Sequence, residues 1–225
     1  MKTIRIDIVS DVVCPWCYVG KKRLENAIAQ SPEYSFEIHW FPFQLSPFIP
    51  QEGVNQQEYL AQKLGGKHIL EQAQQNLELI GKEVGIDFRF DKIEKAINTF
   101  HLHRILMAVG DSGKQTALKT AFLSAYFEKA LDLTDQNVIR QLLENVGFSQ
   151  NHIEELLDET FFAEQTSLIL QDISKQNVRG VPLFIIDQKY GISGAQPEEV
   201  FLQTFAKIAP VVQTDLACAI DNPTC

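Results

Sequence analysis

The stretch that most constrains this chain is Cys14-Pro15-Trp16-Cys17, set between an alternating apolar run and a helical pattern. Ile4, Ile6 and Ile8 alternate with Arg5, Asp7 and Val9, the two-residue period of a strand with one apolar face. From Tyr18 to Gln30 the spacing turns helical, with Leu24, Ala27 and Ile28 on the side that should meet a sheet. The cysteines therefore fall where a strand hands over to a helix. Backbone N–H groups at a helix start lack partners and carry partial positive charge. They stabilise a thiolate on the first cysteine, and the thiolate is the nucleophile. Pro15 suits the first helical turn, where its missing N–H costs nothing. Cys17 lies in the same turn and can close a disulfide back to Cys14. Taken alone, the pair also fits a zinc knuckle or two structural cysteines.

The far end of the chain adds a second signal. In Arg179-Gly180-Val181-Pro182-Leu183-Phe184-Ile185-Ile186-Asp187 a proline immediately precedes an apolar strand. Proline cannot donate to a ladder, so it opens a strand or lies on an edge. A cis Val181–Pro182 bond would make a rigid corner whose preceding backbone is free to pair with an extended substrate. A trans bond would leave an ordinary strand-opening proline.

Together with Asn98-Thr99-Phe100, His103-Arg104 and Gly194-Ala195-Gln196-Pro197, these segments resemble the DsbA family of thioredoxin-fold thiol–disulfide oxidoreductases, in particular its FrnE-like branch. They come in family order and span nearly the whole chain. The resemblance implies an α/β, thioredoxin-like fold (βαβ…ββα) with a large all-helical insertion. It implies Cys14 as nucleophile, Cys17 as resolving cysteine and a cis-proline at Pro182, with Pro15, Trp16 and Val181 shaping the site. Trp16 is expected at the exposed rim. Asp11 resembles an aspartate common in this branch. Buried, it would take the proton from Cys17 during resolution; solvated, it would cap the helix. Asn98, His103 and Arg104 are implied on a helix over the groove, where they would bind a substrate backbone or a glutathione carboxylate. The alternative for His103 is a structural histidine.

The expected division places residues 1–54 and 177–210 in the thioredoxin-like domain, 55–176 in the insertion and 211–225 in a tail. Helical periods cover 56–64, 68–84, 97–109, 116–129, 136–146, 152–157 and 159–176, with Asn151 and Glu154 as a capping pair. His39 should sit on the outer face of a second strand, and Phe43 and Phe48 in the core, the alternative being that they roof the redox site or bind substrate. At least two of Lys21, Lys22 and Arg23 should form a solvated face. The tail carries Cys218 and Cys225, a second pair such as FrnE-like proteins have, although their spacing is tighter. It would exchange with Cys14–Cys17 by thiolate attack, or else form a loose tail disulfide or stay as free thiols.

The net charge of −9 argues against nucleic acid or an anionic membrane as partner, since both demand basic patches. No apolar run reaches the ~18 residues of a membrane span. The first residues show no apolar signal core, which leads to an expectation of a cytoplasmic protein. In a reducing cytosol paired cysteines are more often catalytic or metal-binding than structural. The reading is therefore an oxidoreductase acting on protein or small-molecule thiols and disulfides. It has no bound cofactor or metal, glutathione is a candidate co-substrate, and the oligomeric state is open. The alternative is a glutathione-dependent isomerase or transferase resembling 2-hydroxychromene-2-carboxylate isomerase, which usually carries serine where Cys14 stands. A zinc protein using all four cysteines is a third reading.

Overall fold

The computed structural model describes residues 2–208, so Cys218 and Cys225 lie outside the described residues. The chain opens with β1 (Lys2–Ser10), α1 (Pro15–Ala29) and β2 (Tyr34–Pro42). Next come β3 (Val54–Asn55), α2 (Gln56–Leu64), α3 (Lys67–Glu83), β4 (Lys95–Ala96), α4 (Phe100–Ala108) and α5 (Gln115–Phe127). Then follow α6 (Gln136–Val146), α7 (Gln150–Leu157), α8 (Ala163–Lys175), β5 (Leu183–Ile186), β6 (Tyr190–Ser193) and α9 (Glu198–Ile208).

The main sheet has the order β2-β1-β5-β6. β1 pairs parallel with β2 and antiparallel with β5, so Ile6 stands between Ile38 and Ile186. This is the expected βαβ…ββα order, with helices inserted between β2 and β5. The apolar period of β1 explains its central place: Ile4, Ile6 and Ile8 are fully buried with Leu24 and Ala27 of α1 and Phe201 and Phe205 of α9. Leu24 and Ala27 face the sheet as expected. Tyr18 and Val19, earlier on α1, join a second core with Leu102, Leu118, Phe122 and Phe127 of the inserted helices. One helix thus takes part in both cores, and the cysteines stand at its start.

Gln115 ties the inserted helices to the sheet edge. Its amide accepts from the Trp40 N–H at 3.0 Å and donates to the Trp40 carbonyl at 3.2 Å, as a neighbouring strand would. The Trp40 indole N–H donates to Thr116 Oγ1 at 2.9 Å. These bonds cover an edge that would otherwise expose unpaired backbone.

Several local expectations are corrected. The insertion also holds a two-residue ladder, Val54 against Ala96 and Asn55 against Lys95, too short to leave a period in sequence. α4 begins at Phe100 rather than 97, because the Asn98 side chain accepts from the Phe100 N–H. Ser149, not Asn151, caps α7, accepting from the His152 N–H. The last inserted helix starts at Ala163 rather than 159. Asp158 accepts both the N–H and the hydroxyl of Thr160, and Phe162 takes a left-handed φ of 63°. Phe43 is half-buried, but Phe48 is 97% exposed and not in the core. His39 alternates with the Phe36, Ile38 and Trp40 face as expected, yet it is half-buried. Lys21 is buried against Glu25, and Arg23 donates to the Ala195 carbonyl, so the expected solvated face does not form.

Candidate active site

Cys14 is the cap residue of α1, with extended backbone and Pro15 in the first turn. Its carbonyl accepts from the Cys17 N–H at 3.0 Å and the Tyr18 N–H at 3.3 Å. Both cysteines are free thiols and nearly inaccessible, whereas Trp16 between them is exposed at the rim. The Cys14 thiol donates to the Val181 carbonyl at 3.7 Å. The Val181–Pro182 bond is cis, and the Pro182 carbonyl accepts from the Gly194 N–H at 2.8 Å. Two segments 167 residues apart thus meet at one sulfur. α1 can lie this close to Pro182 because residue 20 is glycine: a Cβ there would stand 3.1 Å from the Pro182 ring and 3.0 Å from Phe184.

Asp11 is fully buried rather than a solvated cap. Oδ1 accepts from the Val12 N–H at 2.7 Å and faces His103 Nε2 at 3.1 Å; Oδ2 accepts from the Leu45 N–H at 2.7 Å. Burial alone would raise this carboxyl, but the bond and charge of His103, the Leu45 N–H and the Lys119 charge bring it below its ordinary value. Burial also pushes the His103 ring below its ordinary value, against the pull of Asp11. With Asp11 ionised, Nε2 carries the hydrogen of this bond.

Beneath the pair lies a residue that sequence reasoning missed. Lys119 of α5 is buried, one turn beyond Gln115, with Nζ 5.5 Å from the Trp40 ring centroid. Burial pushes its amine down to about 8, against the fields of Cys17, Asp11 and Cys14. Cys17 in turn is pushed well above the usual thiol range by burial and by the bond and charge of Cys14, with Lys119 acting the other way. The signal in the sequence is a lysine between Leu118 and Phe122 on an apolar helix, which nothing local ties to residues 11–17.

The other expected residues are placed differently. Asn98 bonds the Pro47 and Ile49 carbonyls and Gln44, clamping the loop after β2. Arg104 is buried and donates to the Phe161 and Leu156 carbonyls, where it fixes the α7–α8 link. Both line a cavity of about 330 Å³ whose wall includes neither cysteine. Of the three residues implied over the groove, the structure brings only His103 to the redox pair, and there it bonds Asp11.

Comparison with known proteins gives a consistent picture. A family model described as a DSBA-like thioredoxin domain matches residues 5–206. The uncharacterized protein YwbO of Bacillus subtilis (strain 168) is 25% identical over 210 residues, 88% of this chain and 94% of that protein. The crystal structure of a probable DsbA oxidoreductase from Streptomyces coelicolor superposes with a TM-score of 0.81 at 29% identity, over 91% of this chain and 89% of that one. The cytosolic disulfide reductase DsbM from Pseudomonas aeruginosa, also solved with GSH, shares the fold with a TM-score of 0.63 at 15% identity, over 91% of this chain and all of that one.

Proposed function

The chain belongs to the DSBA-like thioredoxin domain family, and from that premise we propose that it is a thiol–disulfide oxidoreductase working through Cys14 and Cys17. The observation that carries this reading is the Cys14 sulfur, seated at the start of α1 and facing the Val181 carbonyl. An extended substrate segment pairing with the Val181 backbone would present its own sulfur to Cys14.

In the reducing direction the Cys14 thiolate attacks one sulfur of a substrate disulfide. That S–S bond breaks, the far sulfur departs as a thiolate, and Cys14 holds a mixed disulfide. Cys17 then gives its proton to the departing substrate thiolate, which leaves as a thiol, and attacks the Cys14 sulfur. The Cys14–Cys17 disulfide forms, the second substrate thiolate leaves, and two electrons have passed from the pair to the substrate. Run backwards, the oxidised pair oxidises a substrate dithiol. Cys17 is held protonated by its burial, so its proton must be drawn off, and the Lys119 cation favours the thiolate that results. We assign Asp11 the role of holding His103 and the Leu45 backbone rather than of proton acceptor, because its carboxyl, held below its ordinary value by these donors and by the Lys119 charge, is a weak base. Glutathione remains a candidate co-substrate, supported by the neighbouring reductase solved with it. A cytoplasmic location fits the same neighbour, itself described as cytosolic.

The test is Cys17→Ser. An oxidoreductase accumulates a mixed disulfide on Cys14, seen as the added mass of the substrate, and loses turnover of insulin disulfides. A glutathione-dependent isomerase keeps its turnover without Cys17, and that result would refute the proposal.

A further inference from the structure

The cavity of about 330 Å³ against α4 takes no part in the thiol chemistry, yet its wall is chemically organised. Phe100 and Ile105 of α4, Ile139 of α6 and Leu157 of α7 give it an apolar side. Arg104 of α4 lines it too, and Glu159, in the α7–α8 link, is an exposed part of the lining. His103, one residue before Arg104, turns to Asp11 instead, because neighbours in a helix do not share a face. α4 thus serves the redox centre with one face and this cavity with another.

Packing does not account for the Arg104 charge. The residue is 2% exposed, and no carboxylate among the described residues comes within ion-pair distance of it. Asp158 and Glu159 act on it only from further away. A buried cation without a charged partner is costly. Two of its five N–H groups donate to the Phe161 and Leu156 carbonyls, which leaves three on a guanidinium that lines an open space. A carboxylate is the group that accepts such a fork.

The rest of the lining narrows the occupant. Glu159 makes no hydrogen bond or ion pair with the described residues, while Asp158 beside it is committed to Thr160. A free carboxylate here, on a chain of net charge −9, repels a simple anion and attracts an ammonium. A buried cation, an exposed carboxylate and an apolar side around one space match a zwitterion with an apolar body. The volume lies at the low end of the roughly 300–1,000 Å³ of small-molecule sites, so the ligand is small. Glutathione, with two carboxylates and a polar body, matches this lining poorly.

We propose that this cavity binds a free α-amino acid with an apolar side chain, its carboxylate on Arg104, its ammonium at Glu159 and its side chain against Phe100, Ile105, Ile139 and Leu157. The site is separate from Cys14 and Cys17, and the inference does not rest on the oxidoreductase reading.

The test is calorimetric titration of the full chain with L-leucine at millimolar concentration, and with isopentylamine and 4-methylpentanoate, which each lack one of its charges. Leucine should bind saturably at one site. Isopentylamine should bind at least about tenfold more weakly, having no carboxylate for the buried guanidinium. 4-Methylpentanoate should bind about two- to fivefold more weakly, since a contact to an exposed carboxylate contributes less. Two variants at exposed lining positions check the placement, with Arg104 kept intact because it also fixes the α7–α8 link. Glu159→Gln should weaken leucine about two- to fivefold and leave 4-methylpentanoate no weaker. Gln136→Trp should obstruct the cavity and abolish saturable binding of leucine. No saturable leucine binding by the parent, isopentylamine binding as tightly as leucine, or leucine binding unchanged in both variants overturns the proposal.

Discussion

Replacing Lys119 with methionine should make the protein more stable and its chemistry slower. The amine sits at about 8 in the folded protein against an ordinary 10.5. At 1.36 kcal/mol per pH unit, holding the cation in place costs the folded state about 3 kcal/mol at neutral pH. The sign follows from proton counts. Below pH 8 both states carry the proton and the cost is present in full. Between 8 and 10.5 the unfolded chain stays charged while the folded amine is neutral, so stability rises with pH. Above 10.5 both are neutral and the cost is gone. Methionine has similar length and no charge. It gives up the cation over the Trp40 ring, worth about 1 kcal/mol. The net expectation at pH 7 is a gain of about 2 kcal/mol, or about 4–8 °C in Tm for a chain of this size. Asp11, Cys14, Cys17 and Lys21 all face this amine, and Cys17, raised by burial, tilts stability downwards at alkaline pH. The decisive quantity is therefore the difference between parent and variant, measured by urea unfolding of the reduced proteins from pH 6.5 to 9.5. That difference should shrink as pH climbs past 8. Resolution of a preformed mixed disulfide should slow in the variant, because the Cys17 thiolate loses its cation. A variant less stable than the parent at pH 7, with a difference that does not change with pH, would refute the reasoning.

Two further substitutions test other parts of the structure. Asp11→Asn places an amide where three donors meet, and should cost about 1–3 kcal/mol at pH 7 in urea unfolding. The Asp11 carboxyl is lowered on folding, so the parent should lose this stability as pH falls below about 4, while the variant's profile there is flatter. Gln188→Gly should raise the unfolding free energy in urea by about 0.5–1 kcal/mol, because Gln188 holds a left-handed φ of 55° in the β5–β6 turn closed by the Lys189 N–H on the Ile186 carbonyl.

What could be read from the sequence was what local rules govern. The period of two in Ile4, Ile6 and Ile8, the period of 3.6 after Cys17 and the proline before Leu183 are local patterns, and the sheet and its first helix follow them. Helix ends were misplaced where one side chain decides between neighbouring starts, as Ser149 does over Asn151 and Asn98 does before Phe100. Phe48 was misplaced because the loop carrying it is shaped by polar bonds, among them Asp11 to Leu45 and Asn98 to Pro47 and Ile49, rather than by burial. At the site, Cys14, Cys17 and Pro182 carry their own signature. His103 and Asp11 are 92 residues apart, and Lys119 comes from another helix, so no spacing rule joins them. The resemblance placed His103 near the groove, but its partner proved to be a carboxylate of this chain.

The 167 residues between Cys14 and Val181 have a consequence for the protein's birth. A ribosome adds roughly 5–20 residues each second, so the second cysteine is made about ten to thirty seconds before the carbonyl that will receive its neighbour's hydrogen. Throughout that interval both sulfurs ride on a growing chain whose guarding strand does not yet exist. Vulnerability to oxidants is therefore greatest in the nascent polypeptide, and the pace of translation governs how long it lasts.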